Sequence, residues 1–180
     1  EEPLPAGGSC LLGSLNLAEF IDAKNYDFDF HAFKEAVDIA VRALNEVLDE
    51  GVSLHPLAEQ RDSVRDWRQI GLGIFGLADM LIKLNIRYGS KKSIELCNEI
   101  GFAMANQAIA TSAYLASVYG AYPKYNSDAI EKSEYFRDNT TQFVRSEVIF
   151  NGLRNSQLLT IAPTGSLSSM LGVSGGIEPI

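Results

Sequence analysis

A short apolar run that ends at a proline, Leu158 to Ala162 followed by Pro163, narrows what this chain can fold into more than any other stretch. The run has the length and texture of a buried strand. Thr164, Gly165 and Ser166 then lead into an apolar-periodic segment, Leu167 to Leu171. Strand, turn and helix start in that order argue for α/β character. The same order makes a physical device. N–H groups at a helix N-terminus point outward, and the helix dipole favours an anion there. Gly165 lets the backbone come close, and Thr164 and Ser166 add hydroxyl donors. The turn is not a Walker A loop, because no Lys follows the Gly. From the turn alone two readings stand: Ser166 caps a helix, or the turn cradles a phosphate.

The chain has 180 residues, enough for one domain with a real core. A formal net charge of −8 makes a nucleic-acid backbone an unfavourable partner. No apolar run approaches the length of a membrane span, and no basic and apolar leader pattern is present, so no membrane partner is expected. Two cysteines do not make a disulfide framework, and the expected compartment is the reducing cytoplasm. The chain starts at Glu1-Glu2-Pro3-Leu4 without a Met and stops at Glu178-Pro179-Ile180, directly after its most informative stretch. A piece of a longer protein is expected.

Residues 1–9 are turn-like, with two prolines and two glycines. Cys10 to Leu17 is short and apolar and reads as a strand. A lone Cys beside a strand reads first as a small buried hydrophobe. Asp29 can cap a helix from His31 to Glu50, with Phe33, Val37, Ala40, Val41, Leu44, Val47 and Leu48 on one face and Gly51 as its stop. His31 and His55 stand apart from each other and from any Cys cluster, so no metal site is assigned. Ser90 can cap a second long helix to Tyr119, with Ile94, Cys97, Ile100, Met104, Ala108, Leu115 and Val118 as its buried stripe. Cys97 on that stripe reads as structural. Residues 127–138 predict one short helix and 140–150 another, closed by Gly152.

Gly71-Leu72-Gly73-Ile74-Phe75-Gly76 matches G-x-G-x-x-G letter for letter. A dinucleotide fingerprint should follow a solid apolar strand, yet Arg65 to Gln69 precede it with only Ile70 before the first Gly. Close packing of backbone against a neighbouring element is the favoured use of these glycines. A helix is expected from Leu77 to Leu84. The whole reads as helix-rich α/β.

Three stretches resemble one family. Ser9 to Leu17, Ser-Cys-Leu-Leu-Gly-Ser-Leu-Asn-Leu, resembles the Cys-Asn-Leu-Gly-Ser-Ile-Asn-Leu strand of ribonucleotide reductase large (catalytic) subunits. Arg68 to Ala78 resembles the glycine-rich segment that follows it in those enzymes. Leu153-Arg154-Asn155-Ser156, through Ala162 to Ser166 and on to Gly176-Ile177-Glu178-Pro179, resembles their substrate-phosphate loop. Order and spacing agree across the chain. The resemblance implies part of a ten-stranded α/β barrel, roughly its second half, rearranged or not in isolation. It also bears on the first residues. The vitamin-B12-type enzymes carry an Asn-Pro-Cys-Gly-Glu loop followed soon by Pro-Leu, so Glu1 is the matching Glu, and the Cys that becomes a thiyl radical is expected immediately upstream.

Roles follow from the resemblance. Glu1 matches the general base at the ribose 3′ hydroxyl. Cys10 matches one member of the reducing cysteine pair, its partner expected in the missing first half. Thr164, Gly165, Ser166 and Leu167 match the loop that holds the substrate phosphates. The wording of that loop and of the Gly-Gly-Ile-Glu-Pro ending looks most like the adenosylcobalamin-dependent class; a metal-containing radical subunit is the alternative. The implied partners are a ribonucleoside di- or triphosphate, a thioredoxin-type reductant and further copies in a homo-oligomer, and the 180-residue chain alone is expected to be inactive. Two other readings of the residues stand beside this one: a nucleotide-binding module, NAD for example, on Gly71, Gly73 and Gly76, and a non-enzymatic helical interaction domain.

Overall fold

The computed structural model describes residues 4–22 and 24–180. Strand β1 (Leu12–Asn16) runs parallel to a second long strand, β4 (Gly71–Phe75), with Leu12 opposite Gly71 and Asn16 opposite Phe75. A third segment adds to the far side of β4. Ile70 and Leu72 donate their N–H groups to the carbonyls of Gln157 and Leu158, and Thr160 donates to Leu72. The predicted strand at 158–162 is therefore shifted, and it narrows to a single parallel bridge between Leu72 and Leu159. β4 lies in the middle of a short parallel sheet that, among the described residues, does not close on itself. Between β1 and the first helix, β2 (Ile21–Asp22) and β3 (Asp27–Phe28) form a small antiparallel hairpin. Phe28 of this hairpin meets Phe33 edge-on, with ring centroids 5.3 Å apart.

Helix α1 (Phe30–Gly51) begins where the sequence places it, because the Asp29 carboxylate accepts from the Ala32 N–H at 3.0 Å. Gly51 does not stop it. Its φ of −73° is helical, and the chain runs on through a 3-10 turn at Val52–Leu54. Phe33, Val37, Val41, Leu44 and Leu48 are buried as the period requires, whereas Val47 is 55% exposed. Helix α2 (Ala58–Trp67) has no counterpart in the sequence reading. It carries almost no apolar periodicity; Val64 is its buried apolar residue, and no side chain caps it. Helix α3 (Leu77–Lys83) follows β4 directly.

Helix α4 (Lys91–Tyr119) starts at the Ser90 cap and ends at Gly120. Ile100, Met104, Ala108 and Leu115 are buried as the predicted stripe requires; its two ends, Ile94 and Val118, are exposed, and Leu96, Ile109, Ala113 and Ala116 widen the buried face. The buried alanines let α1 approach closely, and the Thr111 hydroxyl donates across that seam to Asp38 at 2.7 Å. One helix was expected at 127–138. There are two, α5 (Ser127–Lys132) and α6 (Glu134–Asn139), because Ser133 leaves the helical region at ψ 120° and caps α6 through the Phe136 N–H. Helix α7 (Gln142–Asn151) packs on α4 through Val144 and Val148. Helix α8 (Gly165–Leu171) follows the third strand segment.

The glycines of β4 now have a physical account. Leu72 and Ile74 face the helices and are buried. Gly71 and Gly73 face the other side, where a Cβ on Gly71 would lie 2.6 Å from Thr160 Cγ2 and one on Gly73 would strike the Thr160 carbonyl oxygen. They let neighbouring strand backbone come close. They lie inside the strand rather than in a turn after it, so they do not form a dinucleotide cradle.

Candidate functional site

Cys10 lies two residues ahead of β1 and is exposed, which overturns its reading as a small buried hydrophobe. It opens onto a cleft of about 260 Å³ whose walls include Val47 and Leu48 of α1, His55 and Gln69. An adjoining hollow of about 140 Å³ continues from Cys10 over Gly71 to Gln157 and Thr160. Gln69 donates through its side-chain amide to the side-chain carbonyl of Gln157, which joins the start of β4 to the third segment where both line the hollow. An exposed thiol at a sheet end is accessible for exchange with a disulfide. Cys97 lies instead on α4, half-buried, where burial pushes its thiol up from the ordinary 9.0. A protonated thiol of that kind is inert.

The Pro163–Leu167 turn differs in detail from expectation. Helix α8 begins at Gly165, so Ser166 sits inside its first turn and cannot be its cap. Thr164 holds the cap position in the left-handed region, at φ 52°, ψ 25°, without capping through its side chain. A β-branched residue rarely accepts that conformation. Its hydroxyl is used elsewhere. It donates to the Pro163 carbonyl at 2.8 Å and accepts from the Gly176 N–H at 2.9 Å. The first bond along the helix is Ser168 N–H to the Thr164 carbonyl, 2.8 Å. The N–H groups of Gly165, Ser166 and Leu167 therefore open the helix with no partner within it. All three residues are exposed, and beyond its chain neighbours and its own helix backbone nothing lies within 4 Å of the Cβ position of Gly165.

The segment after α8 folds back and ties this turn to α3. Gly76, the residue before α3, has no side chain to cap with and stands at φ 71°. Ser174 supplies the cap from the far end of the chain: its Oγ accepts from the Ala78 N–H at 3.2 Å. In return Asp79 accepts from the Ser174 N–H at 2.6 Å, and Gly76 N–H donates to the Ser174 carbonyl at 2.8 Å. Tyr88 donates its hydroxyl to the Ile177 carbonyl at 2.6 Å.

Cys10 and the turn do not meet. The strands are parallel, Cys10 precedes the first of them, and Thr164 follows the last. They occupy opposite ends of the sheet. Glu1, the third sequence-predicted site residue, lies outside the described residues.

Beneath the sheet a buried polar network, which the sequence reading did not find, fixes the approach to both β4 and the third strand. Asn155 is 1% exposed. Its amide donates to Asn45 Oδ1 at 3.0 Å and to the Arg68 carbonyl at 2.9 Å, and it accepts from Ser112 Oγ at 3.1 Å. Arg68, in the left-handed region at φ 48°, pairs with Asp49 through Nη2 at 2.9 Å. Arg154 beside it donates to the last carbonyls of α4, at Tyr119 and Gly120. Burial, and then the neighbouring Arg68 charge, pull its guanidinium below its ordinary value. Among the described residues no group of three or more His, Cys, Asp or Glu is placed to hold a metal ion.

The family model for the ribonucleotide reductase barrel domain matches residues 1–180. The chain is 35% identical to a vitamin B12-dependent ribonucleoside-diphosphate reductase of Thermoplasma acidophilum, over 100% of this chain and 21% of the relative. It is 34% identical to the enzyme of the same name from Mycobacterium tuberculosis, over 100% of this chain and 23% of the relative. It is also 33% identical to a ribonucleoside-diphosphate reductase subunit alpha of Chlamydia pneumoniae, over 95% of this chain and 18% of the relative. The chain thus spans about a fifth of the length of the curated relatives it matches.

Proposed function

The chain belongs to the ribonucleotide reductase family, as part of its barrel domain, and from that premise we propose that it serves in a catalytic subunit that reduces ribonucleotides to deoxyribonucleotides. The observation that carries the reading is the helix start after the third strand. There the N–H groups of Gly165, Ser166 and Leu167 and the Ser166 hydroxyl stand exposed in the stretch that resembles the family's phosphate loop. An anion fits that environment because unpaired N–H groups and the helix dipole act together. The names of the relatives favour a ribonucleoside diphosphate as the substrate.

Cys10 takes the reductant's part. Two thiols become a disulfide, the ribose 2′ hydroxyl leaves as water, and the sugar carbon gains a hydrogen. The second thiol comes from outside this chain. A thioredoxin-type reductant then restores the pair by thiol exchange, and an exposed Cys10 suits such exchange. Glu1 keeps its reading as the base at the 3′ hydroxyl. Adenosylcobalamin would supply the radical when bound, as the names of the B12-dependent relatives suggest; among the described residues no cluster of His, Cys, Asp or Glu is placed to ligate a metal. The setting is cytoplasmic and the working form a homo-oligomer.

The test is deoxyribonucleotide formation by the complete subunit containing these residues, with Cys10→Ser and Ser166→Ala variants. Cys10→Ser should stop multiple turnover. Ser166→Ala should raise KM for the nucleotide about tenfold, the worth of one hydrogen bond to a charged group. Undiminished turnover by Cys10→Ser would overturn the reading.

A further inference from the structure

We infer that Asp79 and Ser174 form a latch that positions the phosphate turn, an inference that rests on the proposed role of that turn. The two residues make a capping box between segments 95 residues apart. In a local capping box the cap hydroxyl bonds an N–H of the first turn, and an acidic residue there returns to the N–H of the cap residue. Here Ser174 takes the cap role for α3, and Asp79, in the first turn of α3, takes the acidic one. Gly76 leaves that place vacant for it. A side chain at Gly76 would strike Asn16 Oδ1, so the position before α3 accepts no capping residue of its own.

The latch reaches the turn in two steps. Ser174 fixes the start of the Gly175-Gly176 backbone, and Gly176 N–H holds the Thr164 hydroxyl at 2.9 Å. Gly175 packs so closely that a Cβ there would lie 3.0 Å from the Pro163 carbonyl oxygen. Thr164 is thereby kept in a left-handed conformation that a β-branched residue does not adopt unaided. That conformation sets the direction in which the N–H groups of Gly165, Ser166 and Leu167 point. Asp79 touches no substrate in this arrangement. It is a positioning residue, acting through Ser174, Gly176 and Thr164.

The experiment measures nucleotide reduction by the complete subunit carrying Asp79→Ala, Ser174→Ala, Ser174→Thr or Ser166→Ala, together with hydrogen exchange over residues 163–177 without substrate. The expected result for Asp79→Ala and Ser174→Ala is a KM raised about tenfold with kcat changed less than about threefold, as loss of charge-assisted positioning predicts. Ser174→Thr, which keeps the hydroxyl, should restore KM. Exchange at 163–177 should quicken in both alanine variants. If Ser166→Ala raises KM while the Asp79 and Ser174 variants do not, the latch is wrong and the phosphate reading stands. If Ser166→Ala leaves KM unchanged, the phosphate reading fails and takes the latch with it. Should Asp79→Ala not fold, Ser174→Ala, which removes one hydroxyl, decides alone; unchanged exchange in that variant overturns the latch.

Discussion

Single residues in this chain are constrained most tightly where two backbones meet. Gly73 faces the Thr160 carbonyl with no room for a Cβ. Gly73→Ala should cost about 1–3 kcal/mol, the usual scale of overpacking, and urea unfolding will read it. A loss below the error of that measurement would show that the third segment is free to move away. Asn155 is constrained by hydrogen bonds rather than by space. Its truncation leaves Asn45, Ser112 and the Arg68 carbonyl short of a partner in the interior. Asn155→Ala should cost about 3 kcal/mol, since orphaned buried polar groups run to that order. Gly73 was legible as a packing glycine from its sequence setting. Asn155 was not, because its partners come from three other segments and no local pattern announces them.

Among the elements, the seam between α1 and α4 carries the partly exposed Asp38–Arg42 ion pair beside its apolar contacts. The Arg42 hydrogen bond holds the Asp38 carboxyl below its ordinary 3.8; partial burial opposes this and the Thr111 hydroxyl adds to it. A folded-state value lower than the unfolded one means that the native state binds fewer protons at low pH. The stabilisation is then present above the unfolded value and is lost as pH falls through the depressed one. Thermal melts should show Asp38→Asn less stable than the parent at pH 7, with the gap closing toward pH 3. A gap that is constant with pH would place the effect in packing instead. Helices α1 and α4 were readable because each has a capping residue and a long apolar period. The full width of the α4 buried face was not, since Leu96, Ile109, Ala113 and Ala116 join it only through contacts with other elements. Helix α2 escaped notice because Val64 is its buried apolar residue and no side chain caps it.

At the scale of the molecule, the described elements keep the strand–helix–strand order of a barrel segment, while α1 and α4 also pack on each other. The sheet does not close, and an unpaired strand edge is a template for association. Sedimentation of the 180-residue chain should therefore show concentration-dependent self-association, and a strictly monomeric chain at all concentrations would mean that the edge is protected. The chain's own residues determined the class of fold, the places where the capped helices begin, and a family likeness that rests on three short stretches. These are local matters: an apolar period, a capping side chain and a strand–turn–helix order are written within a few residues of each other. The tertiary structure decided the rest. It made a strand of the glycine-rich segment, because its pairing partners, β1 and the third segment, lie far from it in sequence. It exposed Cys10, moved the cap from Ser166 to Thr164, and joined Asp79 to Ser174 across the chain. Each depends on partners distant in sequence, and a hydrogen bond between distant segments exists only once the fold has brought them together.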